Sequence, residues 1–106
     1  MITRIWRGWT TRQNAPAYQT LLRDEIFPGI ASRAITGYRG ISLLRREVGG
    51  EVEFVTVMQF DSITSVKAFA GEDFELAVVP PRARALLARF EERSAHYETI
   101  VPPPAT

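Results

Sequence analysis

The chain has 106 residues, 45% of them hydrophobic, and balances thirteen Lys and Arg against twelve Asp and Glu for a net charge of +1. That length makes one domain, large enough to bury roughly two thirds of its unfolded surface, and the near-neutral balance gives no reason to expect a nucleic-acid or anionic-membrane partner. With no cysteine, disulfides, thiolate metal sites and cysteine nucleophiles are excluded, and the single histidine, His96, excludes a multi-histidine metal site within one chain.

Residues 2–10 alternate as a first strand, with Ile2, Trp6 and Gly8 on one face and Ile5, Arg7 and Trp9 on the other. Tryptophans on both faces predict a sheet buried on both sides. The same opening, MITRIWRGW, interrupts with charge the apolar run that a signal peptide needs, and no stretch reaches membrane-spanning length, so the expectation is a cytoplasmic protein. Asn14 is a good helix N-cap ahead of Ala15 and Pro16, and Tyr18, Leu21, Leu22, Glu25 and Ile26 follow at helical spacing until Pro28-Gly29 bends or ends the helix. Gly37 and Gly40 bracket Tyr38-Arg39, where glycine permits a bulge or a close backbone approach.

Residues 38–60, YRGISLLRREVGGEVEFVTVMQF, read as a hairpin at the centre of the sheet, turning at Gly49-Gly50. In the second hairpin strand Val52, Phe54, Thr56, Met58 and Phe60 share one face, and Glu53, Val55, Val57 and Gln59 the other. Both faces carry apolar groups. Helices of the same chain cover only one, so a second copy of the chain is the expected cover for the other, giving a homodimer. Asp61-Ser62 caps a short helix over 63–70, stopped by Gly71. Pro80-Pro81 can start a helix whose apolar stripe is Ala83, Leu86, Leu87 and Phe90, with Arg82, Arg84, Arg89 and Arg93 as a solvated face. Residues 94–101 form the last strand, with His96 and Glu98 on one face and Ala95, Tyr97 and Thr99 on the other. The domain therefore spans 1–101, and 102–106 is a Pro-rich tail. The order β-α-β-β-α-β predicts a ferredoxin-like α+β subunit with an antiparallel sheet.

Several strings resemble the antibiotic biosynthesis monooxygenase superfamily. They are Ile5-Trp6-Arg7-Gly8, Gly37-Tyr38-Arg39-Gly40, the passage 54–62, Phe69-Ala70-Gly71-Glu72-Asp73 followed by Ala77, and His96-Tyr97-Glu98. The resemblance implies a dimeric α+β barrel, two sheets face to face, with a pocket between helices and sheet in each subunit. Relatives oxidise polycyclic phenols with molecular oxygen and no bound cofactor, degrade haem, or isomerise and bind small metabolites, and the fold does not choose among them. The oxygenases and haem degraders use an Asn on the first strand and a Trp on the helix after the hairpin, with a downstream His ligating iron in the haem degraders. Here the only asparagine is Asn14, the position resembling the Trp is Phe69, and no histidine lies between Asp61 and Ala95. These departures argue against haem degradation.

The leading expectation is therefore a cofactor-independent monooxygenase acting on a small aromatic or polycyclic phenol, with no metal or flavin. Such chemistry needs a base to ionise the substrate and a cation or donor to hold the oxyanion. His96 is the candidate base, with Glu98 on its strand face, unless its ring only fixes the strand end by bonding a carbonyl or carboxylate. Arg7 and Arg39 are the candidate oxyanion partners, Arg7 preferred because first and last strands adjoin in this topology. Trp9, Tyr18, Phe69 and Phe74 are candidate pocket walls for a hydrophobic or aromatic molecule, although Tyr18, Phe69 and Phe74 also fit ordinary core spacing. The rivals are a dimer that binds a small metabolite without converting it, and an isomerase or lyase using His96 to move a proton.

Overall fold

The computed structural model describes residues 1–104; of the expected Pro-rich tail, residues 105 and 106 lie outside the described part. Its elements are β1 (Ile2–Thr11), α1 (Ala15–Leu21), a π-helical turn (Leu22–Ile26), α2 (Phe27–Ser32), β2 (Tyr38–Val48), β3 (Glu51–Phe60), α3 (Ile63–Ala70), α4 (Pro81–Leu86), β4 (Arg89–Phe90) and β5 (Ala95–Glu98). The sheet runs β2-β3-β1-β4, with β5 also paired to β1, and every pairing is antiparallel. This is the ferredoxin-like α+β arrangement, its last strand delivered in two pieces. The hairpin does not sit at the centre of the sheet: β2 is an edge strand, and β1 and β3 are central. Strand β1 holds the centre because β3 pairs its whole length on one side while β5 and β4 divide the other.

Local chemistry explains most boundaries. Gly49 and Gly50 adopt φ of +56° and +86°, the pair of positive angles that a two-residue hairpin turn between right-twisted strands demands. A bulge at Arg39 shifts the register between Tyr38 and Gly40, and Gly37 makes a close approach as well: a Cβ there would lie 2.0 Å from Ser65 Oγ. Ser62 caps α3 by accepting from the Ser65 backbone N–H at 3.4 Å, and Gly71 stops it.

The limits of three elements are corrected as well. The first helix passes through Pro28 as far as Ser32, because Phe27 N–H bonds Leu22 O in a π-turn that widens the helix just where the proline ring would clash. Helix α4 ends at Leu86 rather than continuing past Phe90, since Ala88 and Glu91 donate backbone N–H groups to Trp9 O and Arg7 O and satisfy the free edge of β1. The last strand is paired only over Ala95–Glu98, prolonged by a bond from Thr99 N–H to Met1 O. Asn14 begins α1 without a side-chain cap; its amide donates to Leu86 O and ties α1 to the end of α4.

The helices cover the sheet face that carries Trp6, Val52, Phe54, Met58 and Phe60, all buried. Two core clusters form beneath them, one around Tyr18, Leu22 and Phe54 and one around Met58, Phe60 and Phe69. On the opposite face Ile5, Val55 and Val57 are only partly covered, and Leu44, Val48 and Tyr97 are exposed. Among the described residues no helix is long and apolar enough to cross a membrane.

Candidate functional site

Strand register decides which of the two β1 arginines enters the interior. Arg4 stands opposite Met58 on β3 and His96 on β5, on the helix face, whereas Arg7 stands opposite Val55 on the other face. Arg4 is only 3% exposed. Its Nη1 donates to Phe74 O and, at 3.0 Å, to His96 Nε2, and its Nη2 donates to Leu76 O at 3.1 Å. All three acceptors are neutral, and Arg4 makes no ion pair among the described residues, although most other arginines do. Burial pulls its pKa from 12.5 down to about 10, which leaves it charged at neutral pH.

A guanidinium has no lone pair, so the contact requires His96 Nε2 to accept and the ring to be neutral with its proton on Nδ1. That Nδ1 is buried without a partner among the described residues. Burial first, and the neighbouring Arg4 charge second, hold the His96 pKa below its ordinary 6.5, with Glu75 pulling weakly the other way. Phe74 meets the imidazole edge-on at 5.1 Å between ring centres.

Where the two core clusters meet, a cavity of about 60 Å³ opens partly to solvent. Arg4, Trp6, Thr56 and Met58 line it from the sheet, Leu22, Ile26, Phe27 and Ile30 from the helices, and Tyr18 and Phe69 stand among its walls. The segment Val78, Val79 and Pro80 completes it, together with Ser94. Its lining mixes aromatic and aliphatic walls with a few polar groups, the chemistry that ligand pockets use. Trp6 spends its indole N–H on Glu91 O at 2.7 Å, while Ser94 Oγ is buried without a partner among the described residues. Desolvation raises the Tyr18 pKa well above the usual phenol range, so its hydroxyl stays protonated, and no hydrogen bond of the described residues engages it. Phe69 receives guanidinium groups of Arg4 and Arg33, each 5.5 Å from its ring centre.

Of the residues singled out in the sequence, the structure brings Tyr18 and Phe69 to the cavity wall and sets His96 and Phe74 behind Arg4. Arg7 and Trp9 are on the far sheet face, Arg7 bound to Glu91 at 2.9 Å and Trp9 beneath Arg89 at 4.0 Å. Arg39 is exposed and paired with Asp61 at 2.7 Å, and Glu98 is exposed. Sequence reasoning missed Arg4 and Ser94. The available signal was a lone cation in the stripe Ile2, Trp6, Gly8.

Fold and site together define a ferredoxin-like α+β protein with a partly open cavity between helices and sheet. No family model matches the chain, and no curated protein matches it. Solved structures do. A Bacillus cereus protein assigned provisionally as an antibiotic biosynthesis monooxygenase superposes with a TM-score of 0.64 at 15% identity, covering 98% of this chain and 97% of that one. The Rv0793 protein of Mycobacterium tuberculosis gives 0.55 at 22% identity, covering 99% and 98%. The fold resemblance read from the sequence is thus present along the whole chain.

Proposed function

We propose that this protein is a cofactor-free oxygenase of small aromatic phenols, acting in the cavity between helices and sheet and working as a homodimer joined through the open sheet face. The observation that carries the reading is Arg4, a buried cation without a carboxylate partner, at an apolar, aromatic-walled cavity. A fixed positive charge there meets the oxyanion that develops as a phenol is oxidised. A phenol with an adjacent ring CH₂ loses both hydrogens; the carbon gains C=O and the second oxygen atom leaves as water. The substrate thereby supplies every electron that O₂ accepts. The name of the Bacillus cereus protein of the same fold supports oxygen chemistry.

In this reading the oxyanion role passes from Arg7 to Arg4, because Arg7 faces away and is engaged by Glu91. His96 is the base once Arg4 turns its Nη1 donor toward substrate and frees the Nε2 lone pair. The test is oxygen uptake with anthrones, naphthohydroquinones and flavonols. Uptake that falls at least about tenfold in both Arg4→Gln and His96→Ala supports the assignment. Unchanged turnover in both, or no uptake with any of the three classes, defeats it.

One feature favours a second reading, a dimer that binds a small aromatic metabolite without converting it: among the described residues no Asp, Glu or His lines the cavity. Saturable binding with no product identifies that case.

A further inference from the structure

A guanidinium has five N–H donors, and Arg4 directs three of them at Phe74 O, His96 Nε2 and Leu76 O. Nε–H and one Nη2 hydrogen are left. Two donors on one planar group are what a single carboxylate takes. A second buried group, Ser94 Oγ, lines the same cavity and lacks a partner among the described residues. Latching the 74–76 segment to the sheet explains the three bonds that Arg4 makes, but neither the two donors left over nor the idle hydroxyl.

Buried polar groups are ordinarily satisfied, and a buried cation ordinarily has an opposite charge. A neutral phenol entering this cavity leaves the Arg4 charge uncompensated, whereas an ionised acid removes the imbalance as it binds. We propose that the ligand is an aromatic monoanion, a ring system bearing an ionised carboxylate or an equally acidic enol, held by the two remaining Arg4 donors and by the Ser94 hydroxyl. This inference rests on the cavity being the substrate site but not on oxygen chemistry.

The experiment is anaerobic calorimetric titration at neutral pH with three probes of one shape: 2-naphthoate, 2-naphthamide and 2-naphthol. Naphthoate is expected to bind at least about tenfold more tightly than the amide, the margin of charge-assisted over neutral hydrogen bonds. Naphthol follows the amide until its hydroxyl ionises. If it then gains affinity any oxyanion serves, and if it does not the site is specific for carboxylate.

Ser94→Ala removes only a hydroxyl without a partner among the described residues, so it folds, and it is expected to weaken naphthoate about three- to tenfold and the amide, whose neutral carbonyl accepts more weakly, by less. Met58→Glu places a carboxylate on the cross-strand neighbour of Arg4 and is expected to abolish the preference for naphthoate. Naphthoate no tighter than naphthamide, no binding of any probe, or a preference indifferent to Ser94→Ala overturns the proposal. Since oxygen is absent, anion selectivity without any later turnover would defeat only the oxygenase reading.

Discussion

An imidazole pressed against a guanidinium is a poor place for a proton, and that gives His96 a readable signature. Its folded pKa lies below 6.5, so on acidification the unfolded chain takes up this proton first. The stability contributed by the neutral ring is complete above 6.5 and is lost as the pH falls through the folded value. Wild-type thermal midpoints are expected to drop across that interval. In His96→Gln, whose amide oxygen can still accept from Arg4, they should stay flat until the carboxylates protonate. The paired Asp24, Glu25 and Asp61 do not confuse the window, because their arginine partners hold them below ordinary values of 3.8 to 4.5. A wild-type drop that persists in His96→Gln would assign it to other groups. The His96 neighbourhood was half legible in the sequence. Alternation showed that Arg4 and Arg7 face opposite ways, but each shares its face with a tryptophan and an isoleucine, so composition did not say which face was interior. The register that sets Arg4 opposite His96 is fixed by backbone pairing between strands 92 residues apart, which leaves no local trace.

Elements whose limits depend on local chemistry were the ones the sequence showed best: the Gly49-Gly50 hairpin, the helix from Ile63 to Ala70 and the strand alternation of β3. Those settled by distant partners were not. Leu87 to Phe90 carry a helical apolar stripe, yet become extended because the open edge of β1 needs partners there, and Gly8 lets Leu87 pack closely: a Cβ on Gly8 would lie 2.9 Å from its side chain. Two substitutions probe the local rules. Gly37→Ala drives a methyl into Ser65 Oγ at a φ of +86°, and a loss on the order of 3 kcal/mol is expected from overpacking and backbone strain together. Chemical denaturation measures it, and Ser65→Gly in the same chain should restore part of the loss; a neutral Gly37→Ala would mean that the 37–65 approach is loose. Gly49→Asn acts in the opposite direction. Asparagine tolerates the +56° angle and loses less backbone freedom on folding than glycine, so a gain of about 0.5 kcal/mol is expected, and a lowered denaturation midpoint would contradict the turn assignment.

At the scale of the whole molecule the proposed homodimer rests on the open face of the sheet. A monomer with this fold leaves a broad apolar surface in water: Leu44 53% exposed and Val48 45%, around partly covered Val55, Val57 and Ile5. Contiguous patches of this kind mark interaction surfaces, and a face joined to its own copy about a two-fold axis needs no other partner. The cavity lies on the helix side of the sheet, opposite the open face, so assembly and ligand binding should separate. Val57 is the residue to change. It lies on the central strand β3, paired with Ile5 on one side and Ser42 on the other, and its side chain takes no part in either core cluster. In the proposed homodimer a glutamate there sets a charge from each copy into the joined face, at a position outside both core clusters of the subunit. By sedimentation velocity the wild type should have twice the 11.9 kDa chain mass and Val57→Glu a single chain mass, with an unchanged circular dichroism spectrum and undiminished affinity for 2-naphthoate. A wild type that sediments as a monomer would remove the homodimer from the reading, whereas a monomeric Val57→Glu that no longer binds the probe would show that the partner sheet is needed to hold the cavity in shape.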